Sequence, residues 1–392
     1  MSISIFENPI VDLEKLRKEN QRATILTMKR EGLDAILVTA CDSIRYLTCE
    51  KLYHQNDWWQ DHYAAILTSD GQFWASTALS LYQKEQGAGW EYFPFPCGTL
   101  IPKRWVKLFQ EVLDHFGLHG EFKIGLDQLS YNVVREFKKE FPSTILVDFL
   151  KPFLMQRSVK NKLEIKLLRE AARVTDIGMR VGLEVGSTPG VRENEVFAAM
   201  IGVMTEAGSE VTPHNSMISS GIKGIEDFLI TDKKIREGEL FNFDIGCMIE
   251  GYHGDSGRTG YCGRESPSEE VKELYQAIYD CHMAGIREIR SGVRGSEIDA
   301  VCRKVLKEHG YPTYETWSGH GMGTRECEYP LLGPSAESRE FDIELKPGMV
   351  IGLEPHTHKE GIAAASLEDM ILITETGCEK LTKTNYLDYL LE

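Results

Sequence analysis

Few features of this chain point to a membrane, a disulfide scaffold or a polyanionic partner. No apolar run approaches the roughly 18–20 residues that a bilayer-spanning helix requires. The leading segment MSISIFENPI lacks a basic n-region and a cleavage-site pattern, so no signal peptide is expected. Cysteine occurs nine times, at positions 41, 49, 97, 247, 262, 281, 302, 327 and 378, an odd number with no CxxC spacing. Reduced thiols in a cytoplasmic protein are the simpler expectation, with no thiolate metal site. Positive charge is in deficit: Lys+Arg is 44 against Asp+Glu 60, a net charge of −16. That surplus repels a phosphate backbone, which argues against nucleic acid, yet it leaves room for a small cation or a bound metal dication. What is present is ordinary for a folded protein: 42% hydrophobic and 27% charged residues over 392 positions, a length that suits two domains.

The first 150 residues alternate between helix and strand signals. Leu13, Leu16, Ala23 and Leu26 recur at helical spacing and stop at Gly32. Residues 33–39 read as a short buried strand, and 63–68 and 72–77 as two strands joined by the turn Ser69-Asp70-Gly71. Helices are expected over 105–116 and 131–141, and strands over 122–126 and 144–149. This is an α/β domain of its own. A boundary is expected near 151–160, where Pro152 ends the last strand and a basic stretch leads into a long helix. The domains are thus read as 1–155 and 156–392. In the long helix Leu163, Leu167, Ala171, Val174 and Gly178 share a face, while Glu164, Lys166, Arg169, Glu170 and Arg173 are expected to face water.

The second region contains an internal repeat. Gly190, Val191, Arg192, Glu195, Ala198, Val203, Glu206 and Gly208 return as Gly292, Val293, Arg294, Glu297, Ala300, Val305, Glu308 and Gly310, always 102 residues later. Each copy reads as a glycine turn feeding a helix that ends at a glycine cap. Two copies suit a domain of two similar halves about a pseudo-twofold axis, with a ligand site between them.

Four words carry chemistry. Phe241-Asn242-Phe243-Asp244-Ile245-Gly246 buries Asp244 inside a strand, where a carboxylate requires a strong partner. Asp255 follows on the next strand after a turn at Glu250-Gly251, and a hairpin of this length can put both acids on one face. In the plainest alternative, Arg258 forms a salt bridge with one of them. Ser318-Gly319-His320-Gly321 presents an imidazole between glycines. Glu354 closes the apolar strand 349–353, and Glu368 follows Ala363 to Leu367. Four carboxylates and one imidazole, each beside an apolar strand or glycine turn, form an oxygen-rich site able to hold two divalent cations roughly 3.5–4 Å apart. One nitrogen and many oxygens suit Mn, Fe or Co at least as well as Zn.

In that order and with those flanking words, Asp244, Asp255, His320, Glu354 and Glu368 resemble the metal site of the creatinase/methionine aminopeptidase/prolidase family, whose catalytic domain has the pita-bread fold. The resemblance runs from Lys162 to about Thr382, and residues 32–38 and 45–48 are similar to the creatinase-type N-terminal domain. It implies an α/β (α+β) chain whose pita-bread catalytic domain has two pseudo-symmetric halves. It also implies a metal-dependent hydrolase and a homodimer. Asp244 would chelate one metal, Asp255 and Glu368 would bridge the pair, and His320 and Glu354 would complete the other. Glu354 would also be the base for the bridging water. His253, beside Asp255, is read as structural.

Four positions depart from the family pattern. Family peptidases carry a catalytic His upstream of the first metal Asp; here that segment is 224–232, with Asp227 or Glu226 in its place. The second His expected seven residues after His320 is Cys327, flanked by Glu326 and Glu328. The Arg usual before the last Glu is absent from 363–368, and Glu-Pro-Gly has become Glu354-Pro355-His356. The metal core is intact while the substrate-reading residues have changed. Relatives that have left peptide cleavage include creatinase and ectoine hydrolase, which cut C–N bonds in small osmolytes, and a lyase of dimethylsulfoniopropionate. The leading expectation is therefore hydrolysis of a C–N bond in a small dipeptide-like or osmolyte-like substrate by a metal-bridged water. The alternative is β-elimination with Asp227 or Glu326 as base, and a non-enzymatic binding protein ranks last. Trp58, Trp59 and Tyr63 are candidates for an aromatic wall around a methylated cation. His214, Cys327 and His356 complete the candidate substrate contacts.

Overall fold

The computed structural model describes residues 10–52, 63–76, 101–210, 216–314, 316–334 and 342–391. The chain divides into two compact units, Met1–Arg157 and Ser158–Glu392. Among the described residues no helix is long and apolar enough to cross a membrane.

The first unit is an α/β layer structure. Strands β1 (Ala35–Val38), β2 (Ala64–Thr68), β3 (Phe73–Ser76), β4 (Lys123–Leu126) and β5 (Ile145–Asp148) form a sheet in the order β3-β2-β1-β4-β5. β1 and β2 pair antiparallel, whereas β1, β4 and β5 run parallel. β1 is buried along its whole length, so it reads as an unbroken apolar run. The first helix, Leu13–Glu31, is capped by Asp12, which accepts from Lys15 N–H, and ends at Gly32 in the left-handed region. One expectation is overturned at the end of this unit. Pro152 does not merely stop a strand, because Leu150–Arg157 is a helix with the proline in its first turn, where a missing N–H costs no hydrogen bond.

The second unit contains two halves of the same plan. In the first half the helices Lys162–Gly186 and Glu193–Glu206 pack on β6 (Met217–Ser220), β7 (Leu240–Ile245) and β10 (Ser256–Tyr261), ordered β10-β7-β6. A small hairpin of β8 (Met248–Ile249) and β9 (Tyr252–His253) interrupts β7 and β10. In the second half the helices Glu269–Glu288 and Gly295–Glu308 accompany β11 (Gly319–Gly321), β12 (Glu328–Leu331), β13 (Val350–Leu353), β16 (Asp369–Ile373) and β17 (Cys378–Lys380). Their order is β12-β11-β13-β16-β17. The remaining hairpin is β14 (His356–Lys359) with β15 (Ala363–Ser366).

The repeat is reproduced in geometry. Gly190 and Gly292 both have φ of 88°, and their N–H groups donate to Ile235 (2.8 Å) and Leu345 (2.9 Å) carbonyls. Glu195 and Glu297 each accept from the backbone N–H of the arginine three residues earlier, at 2.8 Å in both. Arg192 and Arg294 then reach the Asp232 and Asp342 carbonyls, at 2.6 Å in both. Gly208 and Gly310 end both helices with positive φ.

The long helix carries glycine every fourth residue, at 178, 182 and 186. A Cβ there would lie 2.7, 2.6 and 2.4 Å from Met204, Met200 and Phe241 side chains. The stripe lets the neighbouring helix and β7 close on this face. Glu164 on this helix does not face water. It is 3% exposed and closes a capping box with Asn161, because it occupies the third helical position. Tyr252 donates to its other oxygen at 3.3 Å. Burial pushes its carboxyl up to about 7, against a lesser opposing pull from the Asn161 N–H and Lys160. The folded state therefore binds a proton that the unfolded state releases, and stability falls as pH rises from about 4.5 to about 7. Urea unfolding should show Glu164→Gln more stable than wild type at pH 8, by roughly 3 kcal/mol at most, with no advantage at pH 4.5. Equal gains at both pH values would contradict a protonated Glu164.

Candidate metal centre

The five acid and imidazole positions come together from both halves of the second unit. Asp244 lies on β7 opposite Gly257 of β10, and Asp255 immediately precedes β10, after the β8–β9 hairpin. His320 is central in β11 and pairs with Gly352 of β13. Glu354 follows β13, and Glu368 precedes β16. Two groups of donor atoms result, each within 4.8 Å: Asp255, His320 and Glu368, and Asp244, Glu354 and Glu368. Glu368 belongs to both. His320 Nε2 lies 3.8 Å from Asp255 and 3.5 Å from Glu354.

Close strand packing makes this possible. A Cβ at Gly352 would meet Glu368 Oε1 at 2.4 Å, and Cβ atoms at Gly319 and Gly321 would strike the Gly352 and Tyr329 carbonyls at 2.3 and 2.0 Å. The glycines around His320 are thus sheet-packing requirements, and Gly352 leaves the space that the Glu368 carboxylate fills. The Glu354 backbone is anchored by its N–H to the Ser318 carbonyl at 2.8 Å, and Trp317 Nε1 donates to its carboxylate at 3.2 Å.

Arg258 does not neutralise Asp244 or Asp255. Strand register aims its guanidinium at Asp369 (2.7 Å) and at the Glu368 carbonyl (2.5 Å), with Thr384 O at 2.8 Å. Asp369 also meets His282 Nε2 at 2.9 Å and receives Thr382 Oγ1 at 2.7 Å and Tyr386 OH at 2.5 Å. Burial opposes its ionisation, but Arg258, His282 and Lys380 hold its carboxyl well below the usual range. This buried knot fixes the backbone on which Glu368 sits.

Glu368 itself has the opposite environment. Both its oxygens are buried with no hydrogen-bond partner, and its neighbours are carboxylates. Burial first, then the charges of Asp255, Asp244 and Glu354, drives its carboxyl well above the ordinary value. A buried acid without donors, among three other acids and one imidazole, fits cations.

A cavity of about 270 Å³ opens onto Asp244, Glu354 and Glu368; Met217, Phe228, Phe243, Trp317, His356 and Ser366 also line it. The remaining candidates fall as follows. Asp227 does not line this cavity. The short helix Lys223–Glu226 ends before it, its carboxylate accepts the Leu229 N–H at 2.8 Å, and Phe228 takes the cavity-facing place. Tyr63 is not part of an aromatic wall, since it is 4% exposed in the core of the first unit. Trp58, Trp59 and His214 lie outside the described residues. Cys327 is exposed and near enough to Glu354, Glu326 and Asp255 to feel all three charges. Glu326 is half-buried and does not line the cavity. His253 is buried, and its backbone N–H donates to the Gly323 carbonyl at 2.9 Å. Trp317 and Phe228 were missed by sequence reasoning; the aromatic next to Ser318-Gly319-His320 was the available signal.

Comparison with known proteins agrees with this geometry. Residues 166–375 match the model of metallopeptidase family M24. The chain belongs to that family. Residues 22–159 match the creatinase/prolidase N-terminal domain. A Xaa-Pro dipeptidase of Pyrococcus furiosus is 32% identical over 263 residues, covering 65% of this chain and 72% of that protein. The Xaa-Pro dipeptidase of Pyrococcus horikoshii is 30% identical over 277 residues, covering 69% and 77%. Among solved structures, a Xaa-Pro dipeptidase from Bacillus anthracis superposes with a TM-score of 0.78 at 26% identity, covering 94% of this chain and 98% of that one. A prolidase from Thermococcus sibiricus gives 0.81 at 24% identity, covering 95% and 98%. The fold is thus the pita-bread fold with an N-terminal domain, and this M24 chain is a metal-dependent hydrolase.

Glu368→Gln removes one charge from the cluster without changing its shape. At pH 8 in chelator, differential scanning fluorimetry should give this variant a higher Tm than wild type. Added Mn²⁺ should stabilise wild type by up to about 4 kcal/mol at a thousandfold excess over Kd and leave the variant nearly unmoved. A variant less stable than wild type in chelator, yet equally stabilised by Mn²⁺, would contradict the assignment.

Proposed function

We propose that this M24 chain is a dinuclear hydrolase that cleaves a C–N bond in a small dipeptide-like or osmolyte-like amide. The observation that carries the reading is the sharing of Glu368 between two donor groups. Asp244 would hold one cation, His320 and Glu354 the other, with Asp255 and Glu368 between them. The oxygen-rich donor set favours Mn, Fe or Co over Zn. When bound, such cations acidify a shared water and polarise the scissile carbonyl.

The protein's own part is positioning and proton transfer. Glu354 keeps 24% of its side chain exposed beside the cavity, so it reaches both the cluster and a bound substrate. It accepts the proton of the attacking water and returns it to the leaving nitrogen, while the water oxygen joins the carbonyl carbon and the C–N bond breaks. Trp317 Nε1 orients that carboxylate. Phe228, Phe243 and Met217 wall the cavity with apolar surface and strengthen the electrostatics inside. The similarity to Xaa-Pro dipeptidases makes Xaa-Pro dipeptides the first substrates to try. The elimination alternative is less favoured, since neither Asp227 nor Glu326, its two candidate bases, lines the cavity at the carboxylates.

Mn²⁺-loaded protein should hydrolyse Xaa-Pro dipeptides or small osmolyte amides, with oxygen from H₂¹⁸O in the product. Glu354→Gln should lower kcat by about 10²- to 10⁴-fold. Turnover of neither class, or release of an alkene acid without the label, would overturn the reading.

A further inference from the structure

A second cavity of about 340 Å³ adjoins the one at the carboxylates, and the two share Phe228, Asn242, His356 and Ser366 in their walls. These four residues form a neck. His356 and Ser366 stand directly opposite each other across the β14–β15 hairpin, so their side chains share a face. The imidazole lies against the Tyr314 ring at 4.7 Å. Asn242 is tethered at both ends, donating to the Ala364 carbonyl at 2.8 Å and accepting from Thr259 Oγ1 at 2.5 Å. Strand β15 is Ala-Ala-Ala-Ser, so it brings no bulky side chain to the shared wall.

The chamber beyond the neck differs in chemistry from the first. Its walls include Ile225, Pro312, Thr313, Tyr314 and His358, and among the described residues contain no carboxylate, lysine or arginine. The Thr357 hydroxyl is already spent on the Pro312 carbonyl at 2.7 Å. A charged group entering here would lose its hydration without gaining a counter-charge, whereas an aliphatic or aromatic group would gain apolar contact.

Resting on the hydrolase reading, we infer that the substrate extends from the carboxylate cluster through the His356–Ser366 neck, and that the far chamber takes an uncharged aliphatic or aromatic extension. His356 and Ser366, which line both cavities, are then specificity-determining positions. The chain would discriminate between short and extended amides by the room it leaves at residue 366 and beyond.

The test separates binding from turnover. Reduced-amide analogues, in which a methylene replaces the scissile carbonyl, are prepared for Gly-Pro, Phe-Pro and Gly-Pro benzylamide. Isothermal titration calorimetry on the Mn²⁺-loaded full chain should show at least one extended analogue binding about tenfold or more tighter than the Gly-Pro analogue. Thr313→Phe fills the far chamber at a half-exposed position, and Ser366→Leu narrows the neck; each should reduce that ratio to near one, with circular dichroism confirming the fold. Equal binding of all three to wild type, binding of none, or a ratio that survives both variants would overturn the inference. A preserved binding ratio with no turnover of the parent amides would instead overturn the hydrolase reading alone.

Discussion

The mutual repulsion of the carboxylates gathered around Glu368 is the constraint on which the rest of this structure depends. Two unit charges 4.8 Å apart repel by about 3.5 kcal/mol at an effective dielectric near 20. A few such pairs equal the whole net stability of a typical domain, about 5–15 kcal/mol. A fold tolerates that only when its backbone is held independently of the cluster and when cations or protons relieve the charge. Both conditions are visible. Arg258 and Asp369 bind strands β10 and β16 together beneath the site, and Glu368, without a donor of its own, is the group most in need of relief.

The duplicated architecture explains how the acids are delivered. The first half supplies Asp244 and Asp255 from β7 and the approach to β10; the second supplies His320, Glu354 and Glu368 from β11, β13 and β16. Gly257 and Glu368 exchange backbone hydrogen bonds across the join, so the cluster sits where the two halves meet. Matching glycine turns and glutamate caps at a 102-residue offset keep both halves in the same shape without taking part in chemistry themselves.

Much of the centre was legible in the sequence because its acids break local expectation: an aspartate inside an apolar strand, a histidine between glycines, a glutamate closing an apolar run. Most elements of the first unit were legible from periodicity, to within a few residues at their ends, but the helices Cys41–Thr48 and Leu150–Arg157 were not. What could not be read depends on register or on a single-residue turn. Arg258 looks like a partner for Asp255 three residues away, but the strand pairing that gives it Asp369 joins positions 111 residues apart. Asp227 and Phe228 exchange roles because the helix ends at Glu226 and the chain turns there. Glu164 reads as solvent-facing by helical spacing, and only its place in the capping box buries it. The second chamber is invisible in one dimension, since its walls come from five separate segments.

Glu368 is proposed to lie between two cations. Anomalous diffraction from crystals of the Mn²⁺-loaded protein tests it most directly. Two peaks are expected in the second unit, one at Asp244 and the other at His320 and Glu354, with Glu368 contacting both. A single peak, or two peaks of which Glu368 touches only one, would contradict it.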